Sequence, residues 1–323
     1  MAGEFSLVLG GPLFQLFRRT HLTGDALQLL RRRVVVLTLL AWAPLLLLTI
    51  VEGRFWGGSV TLPFLHDVEL HVRLLLALPL LVVAELVVNQ RMRPMVAQFV
   101  TRGLVPDAER ARFDDAVVSA MRWRNSVAAE VLIIAFVYFV GVGLVWRTQV
   151  VIDVTRWYGL GAGGSLHPSL AGWWLGLVSL PLFQFLLLRW YWRIAIWTRF
   201  LWQVSRIDLR FVPTHPDRSG GLGFMALIGH AFAPLLVAQG ALMAGMISSR
   251  IFYAGATLPQ FKLELIGLVA VMLFAILGPM LVFSPKLAAA KRAGLGDFGM
   301  LAERSCVSST PSGCAAAHRR TNR

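Results

Sequence analysis

The side chains best suited to chemistry gather in the stretch PTHPDRSGGLGFM at positions 213–225. The candidate binding residues of this loop and of the apolar segment after it are His215, Asp217, Arg218, Ser219, Gly220, Gly221, Gly223 and His230. Glycines permit positive φ and let another group approach the backbone. Free amides at a helix start attract anions, and Arg218 and His215 would add positive charge. The stretch therefore predicts a site for a phosphate or carboxylate, with Asp217 or Ser219 capping the next helix.

The same loop is open to two other interpretations. His215 or His230 could act as an acid or base with Asp217 as partner, in an enzyme acting on a phosphorylated or lipid substrate. The sequence shows no nucleophile motif, metal cluster or paired-carboxylate signature, and the loop lacks the Lys-Ser/Thr ending of a P-loop. Alternatively, the loop is only a turn in a non-catalytic scaffold or sensor. We expect binding or transport of an anionic solute or lipid headgroup rather than catalysis, and no cofactor.

A second set of polar residues lies inside apolar segments, where charge is costly and usually faces a bundle interior or a cavity. These residues are Glu85, Asn89, Glu130, Arg189 and Arg193. At about 1.5 Å per residue, each lies roughly 5–12 Å below the cytoplasmic boundary, as does His230. We expect a polar vestibule open to the cytoplasm, with the two glutamates pairing the two arginines. The alternatives are ion pairs that only lock the helices, or arginines that extend to the headgroups.

The stretch HDVELH at positions 66–71 also offers metal-ligating side chains. Its candidates are His66, Asp67, Glu69 and His71. Histidine and carboxylate suit several divalent ions, but the spacing matches no strong metal signature. We expect a hydrated loop and assign no metal site.

The elements that must position these residues are membrane-spanning helices. Hydrophobic residues make up 57% of the chain and charged residues 15%, against about 25% charged in soluble domains. The apolar residues form six blocks near the roughly 20 residues that cross a bilayer. The blocks are Val34–Val51, Val72–Val88, Val127–Trp146, Gly172–Trp197, Gly223–Ile247 and Leu263–Phe283. The sequence predicts an all-α, polytopic transmembrane helical bundle of about six spans.

The distribution of basic residues predicts the orientation. With the N-terminus in the cytoplasm, most arginines and lysines of the +14 net charge fall on the cytoplasmic side. This bias follows the positive-inside rule, with both termini cytoplasmic. It explains the basic composition without nucleic acid, because anionic membrane lipids are sufficient partners. We expect a multi-pass protein of the bacterial plasma (inner) membrane; nothing in the sequence indicates its oligomeric state.

The chain divides into three predicted regions. Residues 1–33 form a cytoplasmic segment that is either an interfacial helix or a disordered tail. Residues 34–284 form the bundle, which includes a cytoplasmic amphipathic segment at 91–125 and the Gly-rich loop at 208–223. Residues 285–323 form a basic cytoplasmic tail. The apolar stripe of the amphipathic segment consists of Phe113, Val117, Ala120 and Met121. The aromatic residues predicted to anchor the bundle at the inner membrane interface include Trp190, Trp197 and Trp202.

Two stretches resemble a known family. HPDRSGGLGF at 215–224 and FSPKLAAAKRAGLGDFGMLA at 283–302 are similar to a family of multi-spanning bacterial inner-membrane proteins with no settled activity. The resemblance covers most of residues 10–303 and implies class and topology only. Members of that family continue with further cytoplasmic and apolar segments. Here the chain changes to the low-complexity ERSCVSSTPSGCAAAHRRTNR, which we expect to reflect a truncated or frameshifted end.

Overall fold

A computed structural model gives the fold and describes residues 26–56, 60, 62–143, 157–162, 165–296 and 299–300. The main helices are α1 (Ala26–Val51), α2 (Val68–Thr101), α3 (Arg110–Arg124), α4 (Val127–Gly141), α5 (Leu170–Ser205), α6 (Ala233–Ala254) and α7 (Leu258–Gly296). Within the described residues, α1, α2, α5, α6 and α7 are each long and apolar enough to cross a membrane. The segment that ends with α3 is followed by α4 at a 42° bend. If this bent pair is counted as one span, it is a sixth candidate among the described residues. The predicted all-α polytopic bundle is confirmed.

Shorter elements join these helices. They are 3-10 turns at Phe64–His66, Asp107–Glu109 and Gly223–Leu227, and a short helix at Ile228–Ala231. Strands β1 (Gly159–Ala162) and β2 (Ser165–Pro168) form an antiparallel hairpin, with Gly159 opposite Pro168. The hairpin precedes α5, whose first turn is capped by the Ser169 hydroxyl accepting from the Gly172 amide at 3.0 Å.

The core lies around α2 and α5, which contact each other. Helix α2 also packs against α1 and α6, and α5 packs against α3, α4 and the turn at Gly278–Phe283. The outer helices keep large apolar side chains exposed, including Phe139 on α4 at 88% and Leu263 on α7 at 81%. Such faces suit contact with lipid tails, which are as apolar as these side chains.

The predicted amphipathic segment packs against the bundle. Phe113, Val117 and Ala120 of α3 are buried, and the Phe113 ring lies 6.0 Å from the Phe200 ring of α5. The chain then breaks, and the Ser126 hydroxyl caps α4 by accepting from the Ala129 amide at 3.3 Å. The apolar stripe therefore holds α3 against the part of α5 beyond the apolar block.

Two features differ from the sequence-based expectation. Helix α2 continues past Val88 into the predicted amphipathic segment, whereas the fifth span begins at Ala233 rather than Gly223. Trp190 and Trp197 are 1% and 0% exposed, so they belong to the core and not to an interfacial belt. Trp190 donates its indole N–H to the Leu81 carbonyl at 2.9 Å, which satisfies its polar group inside the bundle.

Several predictions concern residues outside the described ranges. The N-terminal segment to residue 25, the outer part of the third predicted span at 144–146, and the tail from residue 301 are among them. The predicted interfacial helix and the predicted change of sequence after 303 both fall there. We call the end of the bundle where α2 meets α3 the inner end, which the charge bias predicts to be cytoplasmic, and the opposite end the outer end.

Candidate functional site

Glu85 is the centre of a charge cluster inside the bundle. Its carboxylate accepts a hydrogen bond from Arg193 Nη2 at 2.7 Å. Arg33 Nη1 lies 3.5 Å from Oε2, and Arg189 Nη1 lies 3.6 Å from Oε1. Arg189 also reaches Glu130, with Nη2 3.7 Å from Oε1. The predicted pairing of the two glutamates with Arg189 and Arg193 is confirmed.

The cluster joins four helices. Arg33 lies on α1, Glu85 on α2, Glu130 on α4, and Arg189 and Arg193 one turn apart on α5. All five side chains are at most 16% exposed. Arg193 is 3% exposed, so the alternative in which both α5 arginines extend to lipid headgroups is wrong. The ion pairs therefore fix the relative positions of these helices near the inner end.

The cluster carries an excess of positive charge. Among the described residues, three guanidinium groups face two carboxylates. Within the described part of the chain, Nη1 of Arg193 is buried and has no hydrogen-bond partner. The same guanidinium lies 4.7 Å from the centre of the Trp190 ring, a cation–π arrangement that stabilises the charge only in part. An added anion would therefore contact both the excess positive charge and the Arg193 Nη1 donor.

One predicted member of the layer, His230, lies elsewhere, and one member, Arg33, was not predicted. Asn89 is half-buried one turn after Glu85 on α2. His230 lies in the short helix before α6 with its side chain exposed, and it is not among the described ion pairs of the cluster. In the sequence, Arg33 contributes only to the basic bias of the predicted cytoplasmic side. Its place on the last turn before an apolar block was the one signal that it could turn inward.

The Gly-rich loop is organised around the Asp217 carboxylate. Oδ1 accepts from the amides of Ser219 at 2.9 Å and Gly221 at 3.1 Å, and Oδ2 accepts from the Gly223 amide at 2.7 Å. Nδ1 of His215 lies 2.8 Å from Oδ1. Gly223 opens the 3-10 turn that leads toward α6. In this structure the amides predicted to receive an external anion are thus taken by the loop's own carboxylate.

The backbone of the loop explains its glycines. Arg218, Gly220 and Gly221 have φ of 54°, 62° and 99°, a region that glycine adopts readily and arginine does not. A Cβ at Gly223 would lie 2.8 Å from Cβ and 2.9 Å from Oδ2 of Asp217. The close approach inferred from the glycines is real, and the group that approaches is Asp217.

The electrostatics of the loop favour an ionised Asp217. Partial burial acts to raise the pKa of its carboxyl group. The backbone hydrogen bonds from Ser219, Gly223 and Gly221, with the side chain of His215, outweigh that effect and lower the pKa to about 2. The loop is therefore held by an internal anion at neutral pH, while Arg218 stays exposed beside it.

The two stretches that carry the family resemblance meet in space. The helix continuing through 284–296 passes the Gly-rich loop, where a Cβ at Gly294 would overlap the Pro213 side chain. A Cβ at Gly220 would lie 3.1 Å from Cδ2 of Leu287. Lys286 donates to the carbonyl of Ile207 at 2.6 Å. The second stretch thus packs on the first and holds it against the inner end of the bundle.

The polar residues of the HDVELH stretch make structural contacts at the outer end. Asp67 accepts from the Leu70 amide and from the Trp157 indole, both at 3.0 Å. Glu69 forms an ion pair with Arg73 one turn later, and Nδ1 of His71 lies 2.7 Å from the Asp67 carbonyl. Among the described residues, no three His, Cys, Asp or Glu side chains are arranged to hold a metal ion.

Comparisons with protein-family models, with curated proteins and with solved structures found no match. The geometry therefore carries the functional argument. The charge cluster can bind an anionic group through its guanidinium excess, and the ion pairs within it can lock four helices together.

Proposed function

We propose that this protein is a multi-pass protein of a bacterial plasma membrane that binds an anionic group at the inner end of the bundle. The observation that carries the proposal is the buried excess of guanidinium over carboxylate, with Nη1 of Arg193 lacking a partner among the described residues. A buried donor without a partner costs about 1–3 kcal/mol, more when it is charged. A phosphate or carboxylate oxygen would remove that cost and neutralise the excess charge.

Two sources could supply an anionic oxygen of this chemistry. One is the phosphate of an inner-leaflet lipid headgroup, and the other is a free phosphate or carboxylate solute. The basic bias of the predicted cytoplasmic side favours anionic lipid near the cluster. Arg33 and Glu85, at 16% and 14% exposed, are the members of the cluster most accessible from outside the bundle.

Thermal unfolding of the purified protein in lipid nanodiscs tests the proposal. We expect either phosphatidylglycerol in place of phosphatidylcholine, or added inorganic phosphate, to raise the melting temperature saturably. A ligand at 100 times its dissociation constant stabilises by about 2.7 kcal/mol. Phosphatidylglycerol alone would identify a lipid site, and phosphate alone a solute site. If neither stabilises the protein, the anion site is refuted.

Three variants locate the site, each compared with its own ligand-free state. Arg193→Gln should abolish the ligand-induced rise. Arg250→Gln should retain it, because Arg250 is on α6 at the outer end with a side chain 53% exposed. Arg218→Ala should also retain it; loss of the rise in this variant alone would assign the anion to the Gly-rich loop instead.

The second candidate is a non-catalytic scaffold or sensor. The observation that favours it is that the ion pairs of Glu85 and Glu130 join α1, α2, α4 and α5. A scaffold would show the stability cost of breaking these pairs and no stabilisation by phosphate or phosphatidylglycerol. The same nanodisc measurements therefore separate the two candidates.

A further inference from the structure

A cavity of about 390 Å³ opens at the outer end, away from the charge cluster. Its walls come from α2, α5, α6 and α7, and most of them are apolar: leucines, Phe183, and the methionines Met243 and Met246. Asp67, Glu69 and Arg73 lie at its outer end, and Gln184 and Gln239 are the polar residues deeper in the bundle. Along α5, Gln184 is about 14 Å from Arg193, at about 1.5 Å per residue. The cavity is thus separate from the inner cluster.

The deep end of the cavity presents unsatisfied amide groups. Within the described residues, the Gln184 side chain makes no hydrogen bond, although it is partly enclosed. Gln239 is 7% exposed and donates Nε2 to the Tyr191 hydroxyl at 2.8 Å, which leaves its carbonyl oxygen to the cavity. An amide in an apolar setting is costly without a partner. The two glutamines therefore offer hydrogen-bonding groups to a molecule in the cavity.

The Gln184 side chain also contacts α4. A Cβ at Gly141 would overlap Oε1 of Gln184, so the end of this side chain lies against the α4 backbone. Gly141 belongs to a π-helical segment, Val137–Val142. Two more π-helical segments, Val72–Ala77 and Leu175–Ser179, contribute Arg73 and Leu175 to the cavity. π-helical turns are rare and occur frequently at functional sites.

The charged residues at the outer end of the cavity favour one sign of ligand charge. Among the described lining residues, two carboxylates, of Asp67 and Glu69, and one guanidinium, of Arg73, give a net negative charge there. Asp67 accepts hydrogen bonds from Trp157 and the Leu70 amide, and Glu69 pairs with Arg73, so both carboxylates are held in place at the outer end of the cavity. Negative charge over apolar walls disfavours an anion and favours a cation with an apolar body.

We propose that this cavity, named here the outer cavity, binds a small organic monocation with an apolar body. The cationic head lies near Asp67 and Glu69, and the apolar body contacts Phe183 and the methionines. Gln184 or Gln239 provides the hydrogen bonds at the deep end of the cavity. The site differs from the inner anion site in side, charge and residues, so either proposal can fail without the other.

Three probes with one apolar body test the charge preference: phenethylamine, 2-phenylethanol and phenylacetate. In nanodiscs of phosphatidylcholine, we expect phenethylamine to raise the melting temperature saturably, 2-phenylethanol to raise it less, and phenylacetate not to raise it. Equal effects of the amine and the carboxylate would overturn the proposal, because charge would then play no part. No saturable effect of the amine would overturn it as well.

Matched variants on α6 separate the cavity from the lipid. Leu242→Trp fills the cavity, and Val237→Trp places the same side chain at a position that is 56% exposed and outside the lining. We expect Leu242→Trp to weaken phenethylamine binding by at least about tenfold, the factor that corresponds to about 1.4 kcal/mol. Val237→Trp should leave it unchanged. Equal binding in both variants would show that the amine acts through the bilayer.

A labelling experiment measures occupancy without relying on stability. Met246→Cys, in a protein whose own cysteines are replaced by serine, should react with a membrane-impermeant thiol reagent from the outer side. Phenethylamine should slow this reaction and phenylacetate should not. A reaction rate that the amine does not change would contradict binding in the outer cavity, even if the melting temperature rose.

Discussion

Glu85→Gln is the sharpest perturbation of the charge cluster. The substitution keeps the size of the side chain and removes the carboxylate that three guanidinium groups approach at 2.7, 3.5 and 3.6 Å. Among the described residues, only Glu130 then remains to balance them. Because Glu85 is 14% exposed and Arg193 3%, solvent screens the uncompensated charges poorly. Breaking a buried pair from one side costs about 3–5 kcal/mol.

The expected shift follows from the size of the chain. An unfolding entropy of about 2.1 cal/mol/K per residue, over 323 residues, gives about 0.7 kcal/mol/K. A loss of about 3–5 kcal/mol then lowers the melting temperature by about 4–7 °C. The assay is thermal unfolding in phosphatidylcholine nanodiscs without phosphate, so that no anionic ligand contributes to the difference.

The matched control is Glu264→Gln at the outer end. Its partner Arg250 lies 3.7 Å away, and the two side chains are 53% and 45% exposed, so the pair is worth about 0–1 kcal/mol. A double-mutant cycle of Glu85→Gln with Arg193→Gln should show that the two losses are not additive. Equal losses for Glu85→Gln and Glu264→Gln would refute the buried ion-pair reasoning.

Three further outcomes are expected. Gly223→Ala should lower the melting temperature, because its Cβ would meet the Asp217 carboxylate at 2.9 Å, whereas Gly229→Ala, with open space around its Cβ, should not; equal melts would exclude the close approach. Asp217→Asn should lose stability at pH 7. The carboxyl pKa is depressed from 3.8 to about 2, so its contribution is full above about pH 4 and is lost toward pH 2; the wild type should therefore show a stability decrease across this window that the variant lacks. In a cysteine-free background, Trp56→Cys should react with an impermeant thiol reagent from outside intact cells and Thr214→Cys should not; the reverse pattern would invert the predicted orientation.

The sequence by itself predicted the class of the molecule and the pairing of four of its polar residues. Apolar blocks of membrane-spanning length can satisfy their backbone only as helices, so composition alone predicts the bundle. Alternating span directions and a fixed rise per residue predict one layer for Glu85, Glu130, Arg189 and Arg193. Pairing was the expectation for this layer, and extension of the arginines to the headgroups was an alternative. The structure confirms both expectations.

The helix boundaries could not be predicted so closely. Hydropathy records where the bilayer ends, but a helix continues as long as its backbone and a packing face allow. Helix α2 therefore runs on to Thr101, and α5 to Ser205, where α3 packs against it. The burial of Trp190 and Trp197 could not be predicted for a similar reason. Both side chains face the neighbours of α5, and the sequence does not show which face of a central helix is covered.

The tertiary structure decided the partners that the sequence left open. Arg33 belongs to the cluster because α1 packs against α2, and its place before an apolar block does not say which helix it meets. The loop amides meet Asp217 because φ at Gly220 and Gly221 turns the chain back on it, and glycine permits that turn without specifying it. The outer cavity likewise arises between α2, α5, α6 and α7, so Gln184 and Gln239 could be recognised as neighbours only after the helices were assembled.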